Sequence, residues 1–334
     1  MYIFDRFIQR MDFLVRFRES FITHLDNYTI PHAPQRLYKP MEYILQLGGK
    51  RMRPILVLMG CDLFNTPIEK AQDAALAVEV FHNFSLVHDD IMDDAPLRRG
   101  QQTVHEKWDV NTGILSGDVM LIKAYQLFEN YPAPQFVQLA SLFSKTAIEV
   151  CEGQQFDMDF ETRTDVEINE YIEMIRLKTS VLVGASLQMG AIVAGATDAD
   201  QKALYNYGQD LGLAFQLRDD YLDAYGDPAT FGKQVGGDII ENKKTYLYLK
   251  ALELGNEQQR EELLRWYDSQ PADPSEKLSR VKQLFQATTA VTATLEAIES
   301  YHNKALAQVD ALNISQGNKE VLQSFAEYLL KRNS

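Results

Sequence analysis

Two short runs of acid carry the first chemical signal in this sequence. Asp89-Asp90-Ile91-Met92-Asp93 and Asp219-Asp220-Tyr221-Leu222-Asp223 share the pattern D-D-x-x-D, with their first residues 130 positions apart. Each closes a run of apolar residues at helical spacing, AALAVEVFHNFSLVH before the first and LYNYGQDLGLAFQLR before the second. On a helix, residues i and i+4 share a face with Cβ atoms about 5–6 Å apart. Asp89 therefore pairs with Asp93, and Asp219 with Asp223. Like charges at that spacing destabilise a helix, and acids at a helix C-terminus oppose its dipole. One such cluster reads as a solvated helix end. Two copies, each capping an apolar helix, point to oxygen ligands for a divalent cation such as Mg²⁺, whose coordination is completed by water and phosphate.

The residues that bind phosphate are also present, and in order. Gly48-Gly49-Lys50-Arg51-Met52-Arg53-Pro54 places three cations in a turn before an apolar helix. Arg98-Arg99-Gly100 follows the first acidic cluster, and Lys233, Lys243 and Lys244 follow the second within 25 residues. Arginine binds phosphate oxygens in bidentate fashion and lysine as a point charge. Any one of these pairs could be a surface charge; the repeated order of acid and then base has no such explanation.

The elements that position these residues are helical. Apolar residues at three- and four-residue spacing mark 71–90, 138–158, 167–195 and 201–225, and alternating strand-type runs are nearly absent. Prolines and glycines cluster at 31–40, 95–100, 130–134, 226–237 and 270–275, where they punctuate helices without forming a linker. The chain reads as one all-α domain, 1–334, of ten or more helices. Its 334 residues, 46% hydrophobic and 24% charged, exclude disorder. The net charge of −14 argues against a nucleic-acid partner. Two cysteines, Cys61 and Cys151, cannot form a disulfide scaffold and suit a reducing compartment. The N-terminus has charges of both signs and no unbroken apolar core, so it reads as an amphipathic helix and not a signal peptide. The uncharged stretch Thr179–Thr197 is about long enough to span a bilayer, but its serines, glutamine and glycines favour a buried central helix. The expected location is the cytoplasm, with no membrane span.

With these motifs the sequence resembles the trans-isoprenyl diphosphate synthases, the polyprenyl synthetase family. The matching stretches are GGKRMRP (48–54), EVFHNFSLVHDDIMDDAPLRRGQQTVH (79–105), GILSGD (113–118), EGQQFD (152–157), KTS (178–180), LGLAFQLRDDYLD (211–223) and FGKQVGGDIIENKKTYL (231–247). The resemblance implies a single-domain orthogonal helical bundle around a central cavity, the isoprenoid synthase type. It implies an enzyme that joins an allylic diphosphate (dimethylallyl, geranyl or farnesyl) to isopentenyl diphosphate, and that works as a homodimer.

The resemblance also implies roles. Three Mg²⁺ ions, with Mn²⁺ as a substitute, are held by Asp89, Asp93 and Asp219, with Asp90 and Asp223 acting directly or through water. Arg98, Lys178, Lys233 and Lys243 contact the allylic diphosphate. Lys50, Arg53, His82 and Arg99 form the isopentenyl diphosphate site. Thr179 and Gln216 face the allylic cation, and the released diphosphate takes the proton. Gln154, Asp157, His88 and His105 receive no role. Phe84 and Phe81, five and eight residues before Asp89, share a helix face and would form the floor that stops chain growth. The alternative is that both rings are merely core. With small Ser85 beside them and no insertion in the first motif, a C15 or C20 product is expected. Many relatives have proline where this chain has Leu247, a difference that touches no ligand position.

Three rivals share parts of this pattern. A terpene cyclase or head-to-head synthase would leave the Gly-Gly-Lys-Arg turn unexplained, and a cyclase would carry an Asn/Asp-Ser-Glu second motif. A regulatory subunit is expected to have lost aspartates, whereas all six are present. An acidic helical interaction protein has no use for ordered cation clusters.

Overall fold

The computed structural model describes residues 2–227 and 235–331, with side chains for 13–227 and 235–330. Lys233 lies outside the described residues. Helices α1 (Tyr2–Asp26), α2 (Gln35–Gln46) and α3 (Met52–Asp62) precede a 3₁₀ turn at Ile68–Ala71 and the long α4 (Gln72–Met92). A hairpin of β1 (Leu97–Arg98) and β2 (Gln101–Gln102) leads through α5 (Val104–Lys107) to α6 (Val110–Phe128) and α7 (Ala133–Thr162). Then come α8 (Ile168–Ile175), a π-helical turn at Arg176–Ser180, α9 (Val181–Ala194) and α10 (Asp198–Tyr225). The remainder is α11 (Gly237–Ile240), α12 (Tyr246–Leu254), α13 (Glu257–Tyr267), α14 (Ser275–Ala287), α15 (Ala290–Ala311) and α16 (Gln316–Lys331). All four segments with helical periodicity are helices, and a two-residue ladder is the only strand pairing among the described residues.

The helices form two compact units with interleaved segments, Met1–Lys145 with Ala185–Tyr205 and Thr146–Gly184 with Asn206–Ser334. In the first unit α4 packs on α3 and α6. Its apolar residues Ala74 to Phe81 are buried almost continuously, which a helix wrapped on several sides requires. Asp109 starts α6 by accepting the Thr112 amide at 2.8 Å, so a side chain serves one of the amide groups that a helix start leaves unpaired. An aromatic cluster fills the space behind α4: Phe143 contacts Phe81, Tyr125 and Phe128 at ring-centroid distances of 5.0, 4.7 and 5.2 Å.

The second unit has its own core. Tyr171, Leu217, Leu247, Phe285 and Ile298 belong to one buried cluster, and α12 and α16 both pack on α15. Leu247 is 1% exposed and contributes to this core. The stretch Ile168–Ala194 is long enough to cross a membrane and contains an apolar window of mean hydropathy 1.4, but 72% of that window is buried inside the protein. Its apolar character belongs to a core helix.

In the first unit, α3 and α9 cross with backbone nearly touching backbone. A Cβ added to Gly190 would lie 2.6 Å from the Cys61 amide nitrogen, and one added to Gly60 would strike the Leu187 carbonyl. Only glycine permits this approach, because no side chain there could rotate away. Gly190→Ala is expected to destabilise the protein by about 1–3 kcal/mol or more, the usual scale of overpacking. Urea unfolding of the variant beside the wild type checks this.

Candidate active site

In the first unit the DDxxD run ends α4, and the Asp93 amide donates to the Asp89 carbonyl at 2.9 Å. One helical turn therefore separates the two carboxylates that the spacing pairs. Asp89 is half-buried and Asp93 exposed, whereas Asp90 between them is 1% exposed. Arg98 reaches back from the hairpin: its Nε donates to both Asp90 oxygens at 2.8 Å, with Nη2 2.6 Å from Oδ1. Arg98 Nη2 also lies 3.6 Å from Asp89. Both oxygens of Asp90 are engaged by a guanidinium, and Arg98 is paired with acid, so burial has joined them to each other.

The hairpin turn aims the next arginine. Arg99 and Gly100 both have positive φ, 53° and 74°, the handedness a two-residue turn needs to match the twist of its strands. The Arg99 guanidinium donates to the Gly48 carbonyl and covers Gly49, where a Cβ would lie 2.8 Å from it. Gly49 itself has φ 121°, so glycine is required there twice over. Arg51, also left-handed at φ 53°, starts α3, pairs with buried Glu79 of α4 and donates to the Leu45 carbonyl. Arg53 Nη1 lies 3.1 Å from His82 Nε2. Its own Nε is buried without a hydrogen-bond partner, a donor in want of an acceptor.

Burial, then Arg53, Arg99, Arg98 and Arg51, push the His82 imidazole well below its ordinary pKa. A neutral ring can accept from Arg53, so the histidine does not oppose the guanidinium cluster. Lys50, exposed, adds a third cation to the turn that carries Arg51 and Arg53. Four arginines from two sequence motifs thus surround one neutral histidine, an environment suited to a polyanion.

The second unit repeats the arrangement with different partners. Asp219 is half-buried and Asp220 only 6% exposed, matching Asp89 and Asp90. Tyr171 OH donates to Asp220 Oδ2, and Gln216 Nε2 donates to Oδ1 at 3.1 Å. Burial, then repulsion from Asp238, lifts the Asp220 carboxyl well above the usual carboxylate range despite both donors. The Thr179 hydroxyl donates to Gln216 Oε1 at 3.3 Å. Threonine, glutamine, aspartate and tyrosine therefore form one chain of hydrogen bonds that fixes which way the Gln216 amide points. Asp223 accepts the Asp238 amide at 3.0 Å and so holds the start of α11.

Lys178 sits in the π-helical turn, and its Nζ lies 2.6 Å from Asp157 Oδ2. Gly153, one turn earlier on α7, lets that helix approach the turn: a Cβ there would lie 2.7 Å from Lys178 Cα. EGQQFD thus has a physical role that its sequence did not reveal. Its glycine provides the close approach and its aspartate the counter-charge. Lys243 remains firmly protonated: burial opposes the charge, but Asp238, Glu241 and Asp157 outweigh it. Lys244, its neighbour, instead donates to the Phe160 and Glu161 carbonyls at 2.6 and 3.0 Å and finishes α7.

The remaining expected residues divide. Phe84 and Phe81 do stand together, with ring centroids 5.6 Å apart, but Phe81 is 1% exposed and locked in the aromatic cluster. Phe84 lies at the edge of that cluster against His88, whose ring fills the space that Gly117 leaves open. Acid pairs on helix ends offer the hard oxygen donors that Mg²⁺ prefers, so Asp89, Asp93, Asp219 and Asp223 fit that ion by donor type.

A model of the family described as polyprenyl synthetase matches residues 34–287. The chain is 38% identical over 301 residues to a geranylgeranyl pyrophosphate synthase of Geoglobus acetivorans, covering 90% of this chain and 92% of that protein. It is 36% identical over 305 residues to a geranylgeranyl diphosphate synthase of Sulfolobus acidocaldarius, covering 89% and 91%. A crystal structure of a geranylgeranyl pyrophosphate synthase matches with a TM-score of 0.92 at 54% identity, covering 96% and 99%. The all-α isoprenoid synthase fold and these likenesses define a short-chain trans-prenyltransferase. The chain belongs to the polyprenyl synthetase family.

His82 makes stability depend on pH with a definite sign. Below about pH 6.5 the unfolded chain protonates this ring while the folded protein, with its depressed pKa, does not. This contribution to stability is therefore complete above that pH and is lost as pH falls toward the folded value, by up to about 1.4 kcal/mol per pH unit. Replacing His82 by Asn should flatten the profile between about pH 6.5 and 5, as followed by urea unfolding at several pH values.

Proposed function

We propose that this enzyme condenses isopentenyl diphosphate head-to-tail with an allylic diphosphate and releases a C20 product. The allylic C–O bond breaks and its electron pair leaves with the diphosphate. The double bond of isopentenyl diphosphate supplies the electrons for the new C–C bond, and the departed diphosphate takes the proton lost from the adjacent carbon. Mg²⁺, three ions in the full site and replaceable by Mn²⁺, would neutralise the charge that develops on the leaving group.

The carrying observation is the guanidinium cluster around His82. It gives a second anion its own site, which a cyclase does not need. Arg53, whose buried Nε lacks an acceptor, together with Lys50, Arg99 and neutral His82, binds isopentenyl diphosphate. Asp89, Asp93 and Asp219 hold the cations directly, with Asp223 as a direct or water-bridged ligand. Asp90 acts through Arg98, orienting it toward the allylic diphosphate beside Asp89. Lys178, steadied by Asp157, and Lys243 bind the same diphosphate, as does Lys233. Thr179 and Gln216 direct oxygen lone pairs at the cation, and the bond to Asp220 keeps the glutamine in that orientation.

Product length follows from Phe84, the ring at the edge of the aromatic cluster, with Phe81 behind it as support. The relatives' names favour C20 over C15. The enzyme works as a cytoplasmic homodimer. α6 exposes Val110, Ile114, Leu115 and Ile122, with Leu115 and Ile122 at 58% and 59%, an apolar surface suited to a second copy.

The deciding assay incubates labelled isopentenyl diphosphate and Mg²⁺ with dimethylallyl, geranyl or farnesyl diphosphate and measures chain length. A C20 product is expected, and no elongation with any primer would sink the reading. Asp89→Ala and Asp219→Ala should each lower kcat by a factor of at least about 10², the loss of a preorganised charge-stabilising group, while unfolding temperature changes little. Phe84→Ala should lengthen the product by one or more C5 units, read by the same chromatography.

A further inference from the structure

Asp94, His105 and Glu106 have no part in the chemistry above, yet they meet at the base of the hairpin that carries Arg98 and Arg99. Asp94 directly follows the first DDxxD motif, and His105 and Glu106 lie on α5. Thr103 Oγ1 donates to the Ala95 carbonyl at 2.8 Å, and the Thr103 amide to the Pro96 carbonyl at 3.2 Å, which draws the two ends of the hairpin together. The His105 side chain is only 4% exposed, and neither ring nitrogen has a hydrogen-bond partner. Its Nε2 is 4.0 Å from Asp94 Oδ1 and 3.9 Å from Glu106 Oε1. One ligand atom from each residue falls within a 4.8 Å cluster.

We propose that these three side chains bind one divalent transition-metal ion of the Zn²⁺ class, separate from the cations of the aspartate motifs. A buried imidazole is a ligand that Mg²⁺ seldom takes, whereas it suits Zn²⁺ and Co²⁺. Bonds of about 2.0–2.2 Å in tetrahedral geometry place donor atoms roughly 3.4 Å apart, so each carboxylate must close on the imidazole by about half an ångström and the two on each other by up to about 1.4 Å. Both are able to do so: Asp94 is 98% exposed at its side chain and Glu106 47%. Water would take the remaining position. The ion accounts for the orphaned Nε2, and it clamps α5 to the end of α4, bracing the hairpin that aims Arg98 and Arg99.

The test titrates metal-free, full-length protein with Co²⁺ in excess Mg²⁺, without diphosphates, and follows visible d–d absorption; Zn²⁺ displacement is measured by calorimetry. One ion per chain is expected to bind. Glu106→Gln, Asp94→Asn and His105→Gln should each weaken it at least about tenfold, the scale of losing even an outer partner of a metal site. The double variant Asp89→Ala with Asp93→Ala should leave it intact. His105→Gln alters a buried residue, so the two carboxylate variants, on exposed positions, decide the matter if it fails to fold. Absence of saturable binding, binding that ignores Glu106 and Asp94, or binding that requires Asp89 and Asp93 overturns the proposal.

Discussion

The ion pair between Asp90 and Arg98 is the constraint on which the first unit's site depends. A helix end crowded with carboxylates and a turn crowded with guanidiniums each repel themselves, and neither would be stable alone. Bidentate contact between buried Asp90 and half-buried Arg98 joins the two surfaces and leaves Asp89 on the same side as Arg98. Removing Arg98 would be costly, by about 3–5 kcal/mol, because Asp90 would remain as a buried uncompensated charge. The hairpin follows from this anchor. With Arg98 held, the two left-handed residues at its tip carry Arg99 onto Gly48, and the Gly-Gly-Lys-Arg turn is covered.

The second unit meets the same problem by a neutral route. Its buried second aspartate, Asp220, is held by a phenol and an amide in place of a guanidinium. Without a cation beside it, and with Asp238 near, this carboxyl is raised in pKa, whereas Arg98 keeps Asp90 beside a full positive charge. The two motifs look equivalent, but their second acids do different work. One anchors a cation, and the other orients Gln216 and through it Thr179. Two lysines of this unit are likewise tied to acids outside the motif, Lys178 to Asp157 and Lys243 to Glu241 and Asp238.

Much of the architecture was legible in periodicity because long amphipathic helices repeat one physical signal many times. The segments 71–90 and 201–225 became α4 and α10 with ends shifted by no more than three residues. Short elements whose formation depends on distant partners were not legible. The π-helical turn at Arg176–Ser180 exposes no local signal, since its neighbour Gly153 lies 25 residues upstream of Lys178. Asp157 and Tyr171 carried no sign of their partners for the same reason, and Phe81 could not be distinguished from Phe84 until Phe143 was seen against it.

By itself the sequence determined the chemistry: which side chains occur, their charge, and their spacing along one helix. Spacing fixes geometry within a helix because backbone hydrogen bonds repeat every turn, so the pairing of Asp89 with Asp93 needed no tertiary information. Tertiary structure decided which members of each charged set are buried and which remain available. That choice rests on desolvation, which depends on everything packed around a residue. Burial set Asp90 against Arg98 and Asp220 against Tyr171 and Gln216, kept His82 neutral among four arginines, and left Arg53 with an unpaired donor.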